Sequence, residues 1–195
     1  MDVRTACSIF KLPPEIAKSL EKSGVTELYE WQSECIRSTN VASGGSLIYC
    51  APTSGGKSLI AELAILSNAI TARKKSILIL PYVSLVIEKE RDLRRLLHIY
   101  NRYNLSPKSK IKVKSIYGQI GISTRGIAED IIICTIEKAN AIINSLIVAG
   151  QIDRLGCVAI DELHVLGDFD RGYILEILVS KLRFLKSQVG EFLIS

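Results

Sequence analysis

The chain has 195 residues, of which 48% are hydrophobic and 23% charged, and its formal net charge is +5. That length suits one α/β domain with a sizeable core, and the mild positive charge is compatible with a polyanionic partner without requiring one. No run of about 18 apolar residues is present, which excludes a transmembrane helix, and the start Met1-Asp2-Val3-Arg4 lacks the basic-then-apolar layout of a signal peptide.

Taken in chain order, residues 13–23 are predicted to form a helix, with Pro13 and Pro14 at its start and Gly24 at its end. A second short helix is expected over 31–38, followed by a loop at 40–45. From Ser46 the pattern changes to short apolar runs: Leu47–Cys50, Ile77–Leu80, Ile111–Ile116, Ile131–Cys134, Cys157–Ile160 and Phe192–Ile194. Helical stretches at 57–71, 84–99, 136–149 and 171–187 fall between most of them. Strands alternating with helices predict a doubly wound, mostly parallel sheet with helices on both faces. Ligands are then expected at the carboxyl ends of the strands.

The stretch Ala51-Pro-Thr-Ser-Gly-Gly-Lys-Ser58 meets the phosphate-loop pattern G-x-x-x-x-G-K-[ST] except at its first position, where Ala51 replaces glycine. It lies between a predicted strand and a predicted helix. The small residues Ala51, Pro52, Thr53, Ser54, Gly55 and Gly56 let backbone N–H groups approach phosphate oxygens, and the helix start adds a positive dipole end. Lys57 is expected on the β and γ phosphates, and the Ser58 hydroxyl on Mg²⁺. An ordinary Gly-Ser turn followed by lysine is the alternative.

Asp161 and Glu162 follow four apolar residues and so end a buried strand. Unpaired buried carboxylates are costly. Mg²⁺ gives Asp161 a reason to be there, and Glu162 is the candidate base or water positioner for attack on the γ-phosphate. The phosphate loop is expected at the same end of the sheet, across neighbouring strands. A solvated strand end is the alternative.

Five cysteines are present, an odd number, and none has C-x-x-C spacing. Cys50, Cys134 and Cys157 sit in or beside apolar runs, and all five are expected to be reduced. His98 and His164 are not spaced with cysteines as zinc ligands.

Asp161-Glu-Leu-His164, together with Ala51–Ser58, resembles motifs II and I of the Ski2-like superfamily 2 helicases. Within that group the chain is similar to the polymerase-theta-helicase-like (HELQ) branch. The supporting stretches are Leu28–Cys35, Leu80–Ser84, Cys134–Lys138, Ser145–Gly156 and Asp161–Gly172. The resemblance implies a RecA-like ATP-binding lobe and an ATP-dependent DNA helicase that translocates 3′→5′. ATP and Mg²⁺ are the implied cofactors, and single-stranded or forked DNA the partner. It also implies a helical segment over 1–40 and a first RecA-like domain over 41–195. Gln32 matches the glutamine that reads the adenine edge, whereas the residues alone read it as a solvated polar position on a short helix. Pro81, Tyr82 and Ser84 match one strand-contacting motif, and Thr135, Glu137 and Lys138 another. Gly118 falls near the family's glycine-containing contact loop, and His164 matches the residue that faces the partner domain and couples the ATP state to nucleic acid, with a buried, hydrogen-bonded histidine as the alternative. Asp168, Arg171 and Gly172 resemble a G-D-x-x-R-G stretch, which a helix cap and an ion pair explain equally well. Thr135 also reads as a plain helix cap, with Lys138 solvated.

Between Arg91 and Lys114 lie eight basic residues and one acidic residue, with Tyr100 and Tyr103 among them. This reads as a solvated helix face and a lysine-protected edge strand, or as an electrostatic path for nucleic acid.

In the resembled family a Ser-Ala-Thr motif and then a second RecA-like domain follow the region where this chain reaches Ser195. The composite active site then lacks its second wall, and the chain alone is expected to bind nucleotide weakly and hydrolyse it poorly. The other readings are a non-catalytic nucleotide- or DNA-binding product and a lobe of a Ski2-like RNA helicase, with a P-loop kinase a distant further possibility. A nuclear location is expected, or a cytosolic one for a prokaryotic or RNA-acting protein, with no membrane association. The sequence leaves the oligomeric state open.

Overall fold

The computed structural model describes residues 1–38, 41–43, 45–52, 55–104, 106–119, 128–167, 171–185 and 191–194, with backbone alone at 38, 43 and 191–194. Helices α1 (Val3–Ile9), α2 (Pro14–Lys22) and α3 (Glu30–Ser38) precede β1 (Leu47–Ile48). Then come α4 (Ser58–Ser67), β2 (Lys75–Leu80), α5 (Val83–Tyr103), β3 (Val113–Ile116) and β4 (Ile131–Thr135). The order closes with α6 (Ile136–Val148), β5 (Leu155–Ile160), α7 (Gly172–Phe184) and β6 (Glu191–Ile194).

The six strands make one sheet in the order β1-β6-β5-β2-β4-β3, and every pairing is parallel. Alternation along β2 sorts the two faces. Leu78 and Leu80 join a core shared with α1, α2, α4 and α5, whereas Ile77 and Ile79 join the core under α6 and α7. The doubly wound architecture predicted from the apolar runs is therefore present. Its central strands β2, β4 and β5 are almost wholly buried, as helices on both faces require.

Three local features depart from expectation. The chain begins with an unpredicted helix, α1, capped by Asp2, whose Oδ1 accepts from Thr5 N at 2.9 Å. Val3, Ala6 and Phe10 from this end are buried in the same core as Ile60 and Leu93. The helix expected to run to 71 stops at Ser67 and continues as one π-helical turn, Asn68–Ala72, ended by Arg73 at φ +54°. The buried Asn68 amide explains the change. Its Nδ2 donates to Lys74 O, Lys75 O and Ser76 Oγ at 2.8–3.2 Å, so the turn is widened to tie α4 to β2.

The third departure is strand order. The phosphate-loop strand β1 and the Asp161 strand β5 are not neighbours, because β6 stands between them. β1 ends at Ile48, and Cys50 beyond it is exposed rather than buried. Cys7, Cys134 and Cys157 are buried, Cys35 is half-buried, and all five thiols are free. Burial pushes the Cys7 thiol up to about 11.

At the other edge lies β3, with Lys112 and Lys114 exposed. Three side chains of α5 cover the outward backbone of this edge. Asn101 both donates to and accepts from the Ile111 backbone, Arg94 donates to Val113 O at 2.6 Å, and Glu90 accepts from the Ser115 hydroxyl. Arg94, Lys112 and Lys114 of the basic stretch thus belong to a protected sheet edge. No helix among the described residues is long and apolar enough to cross a membrane.

Candidate active site

The loop after β1 turns on its two glycines. Gly55 N donates to Pro52 O at 3.0 Å, and a Cβ on Gly55 would lie 2.9 Å from that oxygen. Gly56 has φ +72°, and a Cβ there would meet Gln32 Nε2 at 2.7 Å. Lys57, half-buried, then leads into α4, which starts at Ser58. Thr53 and Ser54 lie outside the described residues.

Helix α3 holds this loop from the side. Trp31 Nε1 donates to Gly55 O at 3.1 Å and Gln32 Nε2 donates to Gly56 O at 2.7 Å. Gln32 Oε1 accepts from Tyr29 N at 2.8 Å, and the whole side chain is buried. The Trp31 ring stacks on Tyr49, with centroids 5.8 Å apart, and the Tyr49 hydroxyl donates to Lys57 O at 2.9 Å. Three consecutive loop carbonyls are therefore tied to two aromatic residues and one amide. The resemblance singled out Gln32 for the adenine edge, not for this loop, and the solvated position read from the residues alone is corrected by its burial; Trp31 and Tyr49 were missed. The available signal was the chain's single tryptophan, set directly beside Gln32.

Asp161 extends the line of β5 by one residue, its N donating to Ile79 O at 3.0 Å. Its Oδ2 accepts from Ser58 Oγ at 3.2 Å, and its Oδ1 from Glu162 N at 3.0 Å. The fold thus brings the start of α4 and the end of β5 into contact across the interposed β6. Glu162 has φ +62°, a left-handed conformation that is uncommon for a residue with a side chain. Its Oε2 lies 3.1 Å from Nδ1 of the largely exposed His164.

Behind the site, Lys89 of α5 pairs with Glu62 of α4 at 2.7 Å, with both side chains mostly buried. Burial pulls the Lys89 ammonium down, but the Glu62 carboxylate outweighs it and holds it above its ordinary value.

Pro81, Tyr82 and Ser84 follow β2, and Thr135, Glu137 and Lys138 span the junction of β4 and α6. These strands are adjacent in the sheet, so the two groups share one carboxyl edge. Pro81 and Thr135 are buried, and Tyr82, Ser84 and Glu137 are exposed. Gly118, with φ +57°, lies just past the neighbouring β3, on the same edge. Arg171, immediately before α7, joins the groups. Its Nη1 donates to Pro81 O and its Nε to Glu137 Oε1, both at 2.7 Å, while Nη2 lies 2.6 Å from the same carboxylate oxygen in an ion pair. Of the helix cap and ion pair offered as the alternative reading of this stretch, Arg171 makes the ion pair and no helix-capping side-chain hydrogen bond. Asp168 lies outside the described residues.

The chemistry of the Ser58 and Asp161 donors can be tested against a metal. A hydroxyl and a carboxylate oxygen that converge at 3.2 Å suit a hard divalent cation such as Mg²⁺, which takes few protein ligands and keeps waters and substrate phosphates. No group of three or more His, Cys, Asp or Glu side chains able to hold a metal occurs among the described residues. The donor set therefore fits Mg²⁺ carried with a nucleotide better than zinc.

Comparison with known proteins places this geometry in a family. The DEAD/DEAH box helicase model matches residues 29–194. Mouse DNA polymerase theta is 40% identical over 89% of this chain and 6% of its own length. The human protein described as Helicase POLQ-like is 37% identical over 83% of this chain and 14% of its own length. The ATP-dependent DNA helicase Hel308 of Caldivirga maquilingensis is 31% identical over 85% and 20%. The chain thus spans less than a quarter of the length of these relatives. Among solved structures, the DUF1998 helicase MrfA bound to DNA and AMPPNP superposes with a TM-score of 0.69 at 22% identity, over 94% of this chain and 26% of that one. S. cerevisiae Dbp5 bound to RNA and ADP BeF3 gives 0.69 at 16%, over 95% and 45%. Both show a shared RecA-like fold. By its matched residues, the chain belongs to the DEAD/DEAH box helicase family.

Proposed function

We propose that this chain is the first ATP-binding lobe of an ATP-dependent DNA helicase, with residues 1–40 supplying the adenine-side helices and 41–195 the RecA-like domain. The observation that carries the proposal is the contact between Ser58 Oγ and Asp161 Oδ2, which joins the phosphate-loop helix to the carboxylate strand.

In this reading Ala51–Gly56 and the start of α4 cradle the nucleotide phosphates. Lys57 neutralises the β and γ oxygens, and Ser58 and Asp161 hold Mg²⁺. When bound, that ion withdraws charge from the phosphate oxygens. Glu162 orients the attacking water and accepts its proton, and its pairing with His164 fixes the carboxylate. An amide has two N–H donors and two oxygen lone pairs. Gln32 uses one of each on Gly56 O and Tyr29 N, which leaves one of each for the adenine edge.

Pro81, Tyr82, Ser84, Gly118, Thr135 and Lys138 are the proposed contacts for a single strand. Hydroxyls and helix-start N–H groups along one sheet edge suit a phosphate backbone. DNA rather than RNA is favoured because similar proteins are named as DNA polymerase theta and as an ATP-dependent DNA helicase. Stabilisation of the transition-state charge on the γ-phosphate is completed by a second RecA-like domain. Translocation is 3′→5′, in nuclear DNA repair and replication-fork processing.

The test is titration of the chain with a non-hydrolysable ATP analogue. Replacing Lys57 with alanine removes a charged hydrogen bond and is expected to weaken binding by about 10- to 100-fold. Unchanged affinity would sink the reading.

A further inference from the structure

The carboxyl edge proposed to carry a nucleic-acid strand contains a misfit. Glu137, two residues into the β4–α6 junction, is exposed and acidic where phosphate has to approach. Beside it, Pro81 O is a further electronegative atom at the end of β2. Both are engaged by one side chain, Arg171, through two hydrogen bonds of 2.7 Å and an ion-pair contact of 2.6 Å. The guanidinium cancels the carboxylate charge and takes up the Pro81 carbonyl.

The position of Arg171 is itself fixed. A Cβ on the next residue, Gly172, would lie 2.3 Å from Leu166 O, so α7 starts hard against the 3₁₀ turn Leu163–Gly167. That turn continues directly from Glu162, with Val165 N donating to Glu162 O at 3.2 Å. A contiguous path of contacts therefore runs from Ser58 through Asp161, Glu162 and this turn to Arg171, and from there to Pro81 and Glu137.

We infer that Arg171 is a positioning residue for strand binding, which masks the Glu137 carboxylate and holds the starts of α5 and α6 in register behind the phosphate contacts. The inference rests on the proposed strand edge. It assigns Glu137 a supporting place rather than a direct phosphate contact, since a carboxylate repels the ligand it would have to touch. Lysine cannot replace the arginine, because one ammonium does not reproduce the fork that engages a carboxylate and a carbonyl together.

The test measures binding of a fluorescein-labelled 20-nucleotide oligo-dT by anisotropy, with the melting temperature of each variant recorded alongside. Arg171→Ala leaves Glu137 unpaired beside the phosphates and is expected to weaken binding about 10-fold. The double variant Arg171→Ala with Glu137→Gln is expected to recover to within about 3-fold of the parent chain, because the exposed charge is gone. Glu137→Gln alone is expected to bind more tightly than the parent, and Arg171→Lys to fall between the parent and Arg171→Ala. A double variant as weak as Arg171→Ala would overturn the inference, as would an Arg171→Ala chain that binds like the parent. Failure of the parent chain to bind oligo-dT would overturn the strand edge itself, and the inference with it. Should Arg171→Ala fail to fold, Arg171→Lys binding like the parent would be the overturning result.

Discussion

Ser58 Oγ donates to Asp161 Oδ2 at 3.2 Å although 103 positions separate the two residues. Their strands are not paired, since β6 lies between β1 and β5. The contact is made by the helix start reaching across the carboxyl ends of the sheet, where ligands of open α/β folds bind. In the proposed function it is also where a metal ion carried by a nucleotide phosphate takes its protein ligands.

Gly56 is expected to resist substitution for two separate reasons. Its φ of +72° disfavours any side chain, and a Cβ would press on Gln32 Nε2. Gly56→Ala should cost about 1–2 kcal/mol from the backbone alone and lower the melting temperature by about 2–8 °C. It should also weaken nucleotide binding. Differential scanning fluorimetry checks the first effect and analogue titration the second.

Trp31 should report the nucleotide directly. It is the single tryptophan, and its indole N–H is bonded to the loop carbonyl of Gly55. Saturating a non-hydrolysable ATP analogue is expected to change its emission along the binding curve. Trp31→Phe removes one hydrogen bond worth about 0.5–1.5 kcal/mol and should weaken binding by about 2- to 10-fold. An emission that stays constant through calorimetric saturation would contradict this.

Acid should destabilise the chain through two carboxylates on opposite sides of the sheet. For Glu137, burial pushes the carboxyl up, but its own backbone amide, Thr135 and Arg171 outweigh it. For Glu90 burial likewise acts upward and is outweighed by Ser115 and Arg94. Both groups therefore sit below the ordinary glutamate value of 4.5. A depressed folded-state value means the folded state binds protons less readily than the unfolded chain. Their stabilisation is present above about pH 4.5 and lost as pH falls through the lower folded values. The melting temperature should be level through pH 5–7 and drop below about 4.5. Glu90→Gln should make that drop shallower.

Much of this site was legible in the sequence because its chemistry is local. Lys57 and Ser58 follow glycines between an apolar run and a helix, and Asp161 and Glu162 end an apolar run. Each pattern carries its meaning within ten residues. The sheet was legible for the same reason, since the short apolar runs Ile131–Cys134 and Cys157–Ile160 alternate with helical stretches. Helix α1 was legible too, from Val3, Ala6 and Phe10 at helical spacing behind the Asp2 cap, but it went unpredicted. The remainder was set by tertiary contacts. Nothing near Cys50 shows that β1 stops two residues earlier and leaves the thiol exposed. The order that inserts β6 between β1 and β5 is decided by packing, not by the pattern of either strand. The π-helical turn depends on Asn68 finding carbonyls at Lys74 and Lys75. The tie from Trp31 to Gly55 joins α3 to the loop across a long stretch of chain, and that from Tyr49 to Lys57 folds the loop back on its own start.

The most direct measurement is calorimetric titration of the chain with a non-hydrolysable ATP analogue in Mg²⁺ and in EDTA, for the parent and for Asp161→Asn. The account predicts that removing the metal weakens binding by the parent about 10-fold or more. It predicts little further loss on metal removal for Asp161→Asn, whose affinity should be low in both conditions. Equal affinity of the parent in Mg²⁺ and EDTA, matched by Asp161→Asn, would contradict the assignment of Ser58 and Asp161 as the metal-holding pair of a nucleotide site.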